Sequence, residues 1–325
     1  MAIGLASDFK IYQQEFYGGM TEVLQQNSNA FNGASRNCIR LVPMRHRGEY
    51  EKEAFMQEIT GLVSHRDLTS VAAVADQKLT QGELVSVKIA RKIGPVAEAL
   101  DAFRKISSDP QEFSFILGQQ WGKAISVNYI NTALSAVNAA TSAVAAMSVD
   151  KSAAATPTLT HSHLVSAMSL FGDANNRMSA FVMHSKVYFD LMQQSISDKI
   201  FDVANVTIYD GSVASLGKPV IVMDSPSLVI PGATPKYITL GLTQNAVTVG
   251  ESEQREIMSD IQLGLEQIVM RIQGEYGFTL NLKGYSWDVS GAGANPSDAA
   301  IGSGANWLKA VSDNKNLGAA RLITL

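Results

Sequence analysis

Residues 109–147 contain the feature that most constrains the fold, which is one long helical pattern. It begins with Asp109-Pro110-Gln111-Glu112, in which an N-cap aspartate precedes proline at the first helical position and glutamate at the third. Apolar residues then recur at helical spacing, namely Phe113, Ile116, Leu117, Trp121, Ala124, Val127, Ile130, Leu134 and Val137. A helix from Pro110 to Met147 would be about 57 Å long, so it would organise the rest of the chain. Gly118 and Gly122 are the candidate positions for a kink.

The sequence after this helix predicts a mixture of helices and strands. Thr160 is placed to cap a helix that Gly172 ends, and a second helix is expected from Ser185. A strand at Phe181–Met183 lies between them. Further strands are expected at residues 206–209, 220–223, 236–240, 246–249 and 265–287. The predicted fold class is α+β.

The composition limits the classes of function. Charged residues make up 17% of the chain and hydrophobic residues 46%, so we expect neighbouring copies to cover part of the surface. The net charge of −4 lacks the basic excess of a dedicated nucleic-acid binder. Cys38 is the only cysteine, which excludes a disulfide framework and indicates a reducing compartment. Residues 1–20 do not resemble a secretory signal, and no apolar run is long enough to span a membrane.

The residues that could support chemistry do not form a recognisable site. His161 and His163 diverge if they lie on the predicted helix, and no carboxylate pair would complete a metal shell. The stretch Gly211–Lys218 resembles a phosphate-binding loop, but it has the wrong spacing and joins two predicted strands. Nothing near Cys38 in the sequence would activate its thiol. We therefore predict no catalytic residues, no metal and no cofactor.

Residues 44–92, which we call the flap, hold the densest charge in the chain. The run Leu84–Ile89 alternates as a strand does. The flap is either a solvated two-stranded excursion or a projection whose charges dock on a neighbouring copy. We expect few large apolar residues in it beyond Phe55, Ile59 and Leu62. The candidate intersubunit contacts are Arg45, Arg47, Glu49, Glu51, Lys52, Glu53, Arg66 and Asp67.

The N-terminal residues 1–40 are polar and rich in Gln and Asn. Phe9, Tyr12, Phe16 and Met20 recur close to helical spacing, which indicates a short amphipathic helix or arm. Such an arm either stays mobile or lies along another subunit.

Several short motifs resemble those of tailed-bacteriophage major capsid proteins. Phe171-Gly172-Asp173, followed by Phe181-Val182-Met183-His184-Ser185, resembles a strand–helix signature of that family, and residues 217–226 are similar to the strand and turn that follow it. The motifs Gly284-Tyr285-Ser286-Trp287-Asp288, Asn295-Pro296-Ser297-Asp298-Ala299-Ala300 and Asn306-Trp307 resemble the C-terminal part of a short-tailed subgroup typified by a Bordetella phage.

This resemblance implies the HK97-like capsid fold. That fold has an N-terminal arm, an extended two-stranded E-loop, a peripheral domain built on a long spine helix and a β-sheet, and an axial domain. The corresponding segments would be residues 1–43 for the arm, 44–92 for the E-loop, 93–150 with 251–325 for the peripheral domain, and 151–250 for the axial domain.

The resemblance also implies a structural function without enzyme activity. Copies would form non-covalent hexamers and pentamers that close an icosahedral shell around double-stranded DNA in the host bacterial cytoplasm. The implied partners are a separate scaffolding protein, a portal, a cement protein and DNA contacted non-specifically, and no membrane. Two alternatives stay open, an encapsulin-type compartment of the same fold and an α/β enzyme with an unrecognised site.

Overall fold

The computed structural model describes residues 13–43, 48–57, 59, 62–66, 68–99, 110–197, 202–203, 206–207, 216–253, 255–263 and 266–325. Within these ranges the α-helices are α1 (Gln13–Ala34), α2 (Pro110–Ala143), α3 (His161–Ser169), α4 (Ser185–Ser197), α5 (Val289–Ala292) and α6 (Asp298–Ile301). The strands are β1 (Ile39–Pro43), β2 (Tyr50–Met56), β3 (Gln81–Ala99), β4 (Ser148–Asp150), β5 (Met178–Met183), β6 (Asp202–Val203), β7 (Val206–Thr207), β8 (Val220–Val222), β9 (Val229–Ile230), β10 (Lys236–Thr243), β11 (Val247–Glu251), β12 (Glu256–Gln262), β13 (Val269–Leu282), β14 (Tyr285–Trp287), β15 (Trp307–Lys309) and β16 (Ala319–Thr324).

The predicted long helix is confirmed as α2, the spine helix. It ends at Ala143, four residues before the expected end, because residues 145–147 form a single 3₁₀ turn that leads into β4. Asp109, the expected N-cap, lies outside the described residues. The apolar stripe is only partly buried, since Trp121 and Leu134 are in the core while Val127 is half exposed.

Gly118 and Gly122 bring the spine helix close to α1. A Cβ atom at Gly118 would lie 2.2 Å from the carbonyl oxygen of Phe16, and one at Gly122 would lie 3.0 Å from that of Met20. In return, a Cβ atom at Gly19 of α1 would lie 2.5 Å from the carbonyl oxygen of Phe115. These glycines are points of helix-to-helix contact, and a kink at them stays a prediction.

Helix α1 occupies part of the expected N-terminal arm. Phe16, Met20 and Leu24 are buried in the core, and the Phe16 ring meets the Trp121 ring edge to face at 5.3 Å between centroids. Residues 13–34 thus pack on the spine helix of their own chain, a placement that neither of our two alternatives included. Phe9 and Tyr12 lie outside the described residues.

The first sheet has the strand order β1-β11-β13-β3-β2, and β12 pairs with β13. In this order β1 and β2 are the opposite edges of the sheet. All its strand pairs are antiparallel except β1 with β11, which is parallel. Along β13, Met270 and Ile272 are buried and alternate with the exposed Arg271. Thr279 is buried as well, and residues 252–253 donate main-chain hydrogen bonds to the Gly277 carbonyl oxygen near it.

The second sheet has the order β4-β16-β10-β5-β8, and β9 pairs with β10. The short expected helices around it are confirmed, since the Thr160 side chain caps α3 by accepting a hydrogen bond from the His163 amide, and α4 begins at Ser185. The C-terminal strand β16 pairs with β10, which lies in the segment expected to be the axial domain. The assignment of segments to named capsid domains stays a prediction.

The spine helix contacts both sheets. Tyr129 packs edge to face on Phe278 of the first sheet, with 4.9 Å between ring centroids. Nearer its C-terminal end, Asn138 Nδ2 donates a hydrogen bond of 3.0 Å to the carbonyl oxygen of Ser227, beside the second sheet. One continuous set of buried side chains runs through both sheets and the two long helices. This core includes Val87 and Ile89 near the C-terminal end of the flap, but none of the described residues from 51 to 84.

Candidate assembly surface

The flap is a β-hairpin with a long, exposed connection. Strand β2 pairs antiparallel with the first part of β3, from Tyr50 opposite Val87 to Met56 opposite Gln81. The described residues between 57 and 80 form no helix or strand. The expected strand at Leu84–Ile89 is confirmed as part of β3, which then continues into the first sheet beside β13.

The hairpin sorts the predicted contact residues onto two faces. Glu49, Glu51 and Glu53 alternate along the chain, so their side chains share one face of the hairpin. Lys52 points to the other face and forms an ion pair of 2.9 Å with Glu83 of the same hairpin, between two side chains that are each more than half exposed. Lys52 therefore has a partner within the chain, and such an exposed pair contributes about 0–1 kcal/mol.

The remaining predicted contacts are not brought together with these. Arg66 is exposed in the connection between the strands. Arg45, Arg47 and Asp67 lie outside the described residues. All eight residues stay candidates for intersubunit contact.

Sequence reasoning missed an apolar component of the flap. Besides Leu62, the connection exposes large side chains at five other positions, and three of them are almost fully exposed: Val63 at 95%, Val71 at 103% and Val74 at 86%. The expectation of few large apolar residues was therefore wrong. The run Val71-Ala72-Ala73-Val74-Ala75, which contains no turn residue, was the available signal. The complete set is Leu62, Val63, Leu68, Val71, Val74 and Leu79.

The C-terminal motifs fix the base of the flap. The buried Val85 amide donates a hydrogen bond of 3.0 Å to Ser286 Oγ, and the Ala90 amide donates one of 2.9 Å to Asn295 Oδ1. The Arg91 guanidinium also pairs with the Asp298 carboxylate. Side chains from 286–298 thus satisfy main-chain donors of β3 and hold the strand where the hairpin leaves the sheet.

The segment that supplies these acceptors is itself well ordered. The Trp287 indole donates to the Gly293 carbonyl oxygen at 3.0 Å and the Trp307 indole to that of Ile301 at 2.9 Å. The two rings pack edge to face with 4.9 Å between centroids. Asp288 caps α5, and its hydrogen bond from the Ser290 hydroxyl, with the amides of Gly291 and Ser290, lowers the pKa of that carboxyl. The flap is therefore mounted on a rigid base.

The residues that the sequence offered for chemistry are either buried or bonded to main-chain atoms. Burial is the main cause that lowers the pKa of His163, a core residue at the start of α3, and burial raises the pKa of the Cys38 thiol to about 11. Lys218 Nζ donates to the Met178 carbonyl oxygen rather than lining an anion-binding loop. Residues 211–215 of that loop lie outside the described residues. Across the described ranges, no group of three or more His, Cys, Asp or Glu side chains could hold a metal ion.

A cavity of about 330 Å³ lies between α1, β1 and β11. Its lining joins Leu24 and Pro43 with the Glu251–Arg255 ion pair and the Tyr129 hydroxyl. Burial is the main cause that raises the pKa of Tyr129, so the phenol stays neutral at ordinary pH.

Among the helices that the structure describes, none is long and apolar enough to cross a membrane.

Comparison with solved structures shows the fold. The capsid of Ralstonia phage GP4 matches with a TM-score of 0.52 at 10% identity, over 88% of this chain and 87% of that one. A structure from Mycobacterium phage Bobi matches with a TM-score of 0.51 at 11% identity, over 87% of this chain and 88% of that one. The α+β HK97-like capsid fold is therefore confirmed. A search of curated proteins found no match.

The sequence matches a family over nearly its whole length. Residues 8–319 fit the model of the Gp13-like family, described as "Major capsid protein 13-like". This confirms a phage major capsid protein, whereas the short-tailed, Bordetella-phage-type subgroup stays a prediction. The family indicates a structural protein of the virion capsid rather than an enzyme. The chain belongs to the Gp13-like family of phage major capsid proteins.

Proposed function

We propose that copies of this chain associate without covalent bonds into hexamers and pentamers, and that these close an icosahedral shell around double-stranded DNA. The observation that carries the proposal is the set of six exposed apolar side chains on the flap. Covering one such side chain stabilises a contact by about 1.5–3 kcal/mol relative to leaving it in water. Because every subunit repeats the contact, a modest gain in each copy stabilises the whole shell.

The charge of the chain is compatible with DNA as the content. A net charge of −4 gives no general attraction to phosphates, so the shell would hold DNA without binding it tightly. Tight phosphate contacts would oppose packaging and ejection. We further propose that assembly takes place in the host bacterial cytoplasm with a separate scaffolding protein and a portal, and that a cement protein can join the finished shell.

An encapsulin-type compartment is the alternative, and the family match does not favour it. Purified particles distinguish the two, because a phage capsid assembled in an infected cell contains nuclease-protected double-stranded DNA and a compartment of the other kind contains protein cargo. A portal or terminase gene beside this one would also support the phage capsid.

The test of assembly is to express the chain alone and with a scaffolding protein from the same genome. Sedimentation and negative-stain microscopy should show closed particles of regular diameter. A monomer that persists at high concentration even with the scaffold would contradict the proposal.

The test of the flap is the triple variant Glu49→Lys/Glu51→Lys/Glu53→Lys. We expect near-normal circular dichroism and no closed shells. A control with the same charge change at exposed residues elsewhere, Glu22→Lys/Glu256→Lys/Glu275→Lys, moves the net charge equally, from −4 to +2, and should assemble. Normal shells from the flap variant, or loss of folding in it, would contradict an intersubunit flap.

A further inference from the structure

Four basic residues cluster where the two sheets meet, around the turn 243–246 between β10 and β11. We call Arg36, Arg177, Lys218 and Lys283 the basic junction. The Asn245 amide donates to the carbonyl oxygen of Asn37, next to Arg36, and the Lys283 amide donates to that of Ala246. Lys218 reaches the same place through its bond to the Met178 carbonyl oxygen, next to Arg177.

Three residues of the basic junction, Arg177, Lys218 and Lys283, donate hydrogen bonds to neutral acceptors. Lys283 Nζ donates to the Gln244 carbonyl oxygen at 3.3 Å, and Arg177 donates to Asn316 Oδ1 at 2.8 Å. Burial lowers the pKa of Lys218, and Arg36 lowers it further; burial and then Arg177 do the same to Lys283. Arg36 therefore lies near Lys218, and Arg177 lies near Lys283.

The carboxylates at the border of the junction have other partners. Asp173 forms an ion pair of 2.7 Å with Lys315, and Asp313 accepts a hydrogen bond from the Lys315 amide. With Lys315 included, five cations therefore lie near these two carboxylates, so the junction keeps an excess of positive charge.

The complementary feature is the row of Glu49, Glu51 and Glu53 on the flap. Alternate residues of a strand are about 7 Å apart, so the row presents three carboxylates over about 14 Å. The two ion pairs described for this hairpin, Lys52 with Glu83 and Lys88 with Glu253, use none of them.

The sheet order prevents the row from reaching the junction of its own chain. Glu51 and Glu53 lie on β2 and Glu49 immediately precedes it. Arg36 precedes β1, and β1 and β2 are the opposite edges of the first sheet. Four strand spacings of about 4.8 Å separate them by about 19 Å. Two copies placed side by side, however, would bring the β2 edge of one against the β1 edge of the next.

A head-to-tail contact of this kind uses two different surfaces, so it generates closed rings when the rotation between copies closes. Main-chain pairing at the β1 edge is blocked at its centre, because Asn32 Oδ1 accepts from the Leu41 amide and Asn32 Nδ2 donates to the Leu41 carbonyl oxygen, both at 2.9 Å. Contact across this edge must therefore use side chains.

We propose that the carboxylate row Glu49, Glu51 and Glu53 of one copy docks on the basic junction of the next copy within a ring. This inference rests on the proposed intersubunit role of the flap and identifies its receptor. A phosphate backbone is the other polyanion that four cations could bind. The second copy is favoured because the row adjoins the β2 edge of the first sheet while Arg36 of the junction adjoins the opposite β1 edge, and because the chain has no general basic excess.

The experiment is a charge exchange in the full chain. Arg36→Glu/Lys283→Glu reverses two exposed cations of the junction, and Glu49→Lys/Glu51→Lys/Glu53→Lys reverses the row. Each variant alone should fold and lose at least tenfold in the yield of closed particles. The five substitutions combined in one chain reverse both sides of every contact, so the yield should return to within about threefold of the unmodified chain.

Two controls separate the causes. Lys123→Glu/Arg271→Glu makes the same charge change at exposed positions outside the junction and should assemble normally. Binding of a short DNA duplex to unassembled subunits, measured by fluorescence polarisation at two salt concentrations, should be unchanged by Arg36→Glu/Lys283→Glu.

The outcomes separate this inference from the proposed function. If the flap reversal blocks shells and the junction reversal does not, the flap still acts between subunits and the assigned receptor is wrong. A combined variant no better than the poorer parent also overturns the inference. Salt-dependent DNA binding that disappears in the junction variant while shells form normally would assign the junction to phosphate instead. If neither reversal affects assembly, the role of the flap fails as well.

Discussion

The second sheet and the flap use apolar residues in opposite ways. In the sheet, Phe181, Leu240 and Leu322 on adjacent strands are completely buried by the chain's own packing. In the flap, Val63, Val71 and Val74 are almost completely exposed. The second sheet is part of the core, whereas the connection of the flap extends beyond it.

This difference shows which part of the sequence serves the subunit and which part serves the assembly. Buried side chains supply the free energy of folding, at about 25 cal/mol per Å² of apolar surface. Exposed ones supply none to the free subunit and become useful only when a neighbour covers them. The two regions should therefore respond differently to the same kind of substitution.

Truncation of a side chain in each region should give the largest contrast. Phe181→Ala removes a fully buried ring and should lower the free energy of unfolding by about 3–5 kcal/mol. Val74→Ala should change it by less than about 0.5 kcal/mol. Urea denaturation of unassembled subunits measures both values. Similar losses at the two positions would show that the flap packs within its own subunit.

The yield of closed particles, unlike the stability of the subunit, should depend strongly on the exposed side chains of the flap. Val71→Ser/Val74→Ser leaves the stability of the subunit unchanged and should lower the yield of closed particles, because the neighbour then covers polar groups. Ala72→Ser/Ala73→Ser, on the same segment, is the matched control and should have the smaller effect on yield. Equal yields from the two variants would contradict an apolar contact through Val71 and Val74.

Two adjacent glycines in α1 test the close contact with the spine helix. A Cβ atom at Gly19 would lie 2.5 Å from the Phe115 carbonyl oxygen, so Gly19→Ala should destabilise the subunit by about 1–3 kcal/mol. A Cβ atom at Gly18 would meet nothing within 4 Å, so Gly18→Ala should stabilise it by about 0.5–1 kcal/mol. Thermal unfolding of both variants measures these changes. Equal shifts in Tm for the two variants would contradict the close packing of α1 on the spine helix.

The contact between α1 and the spine helix shows what the sequence could and could not predict about the fold. The spine helix, the Thr160 cap and the start of α4 were predictable because caps and periodicity are local signals. The role of Gly118 was not, because it depends on α1, about a hundred residues earlier in the chain. Sheet order was likewise beyond reach, since β13 pairs with β3, which ends 170 residues before β13 begins.

The assembly surface was predictable only in part. The carboxylates of β2 could be placed on one face from their alternation alone. The apolar residues of the connection were visible in the sequence, but their exposure was not, since Val71 and Val74 are the residue type that most often fills a core. The anchors Ser286 and Asn295 act on amides about two hundred residues away, and nothing in their local pattern indicates that role.

Removal of the hydrogen bond between Asn295 and the Ala90 amide, at the base of the flap, should have a smaller and more local effect. Asn295→Leu removes the acceptor of the Ala90 amide and should cost about 1–2 kcal/mol, whereas Asn295→Asp keeps an oxygen there. Hydrogen exchange of the Ala90 amide should accelerate about tenfold in the Leu variant only. Amides of the second sheet, such as that of Leu240, should keep their protection. Acceleration at both places would indicate global destabilisation instead of a local clamp.

Thiol labelling gives the finest comparison, because a single cysteine can be placed in either region. Cys38 is fully buried and its pKa is raised to about 11, chiefly by burial, against the opposing effects of Arg36 and Lys218. At pH 8 only about one thiol in a thousand would be ionised, compared with about a quarter at the free value near 8.5. Cys38 should therefore resist iodoacetamide at pH 8 in the folded subunit.

A thiol in the flap should behave differently and should report on assembly. In the variant Cys38→Ser/Val71→Cys, labelling of the unassembled subunit should proceed at the rate of a free thiol, because position 71 is fully exposed. Closed shells should label far more slowly at this position if a neighbour covers it.

Because the folded state disfavours the Cys38 thiolate, its burial stabilises the fold below pH 9, and this contribution is lost as the pH rises toward 11. The flap variant should show no such loss over that range, so a fall in stability shared by both chains would not come from Cys38.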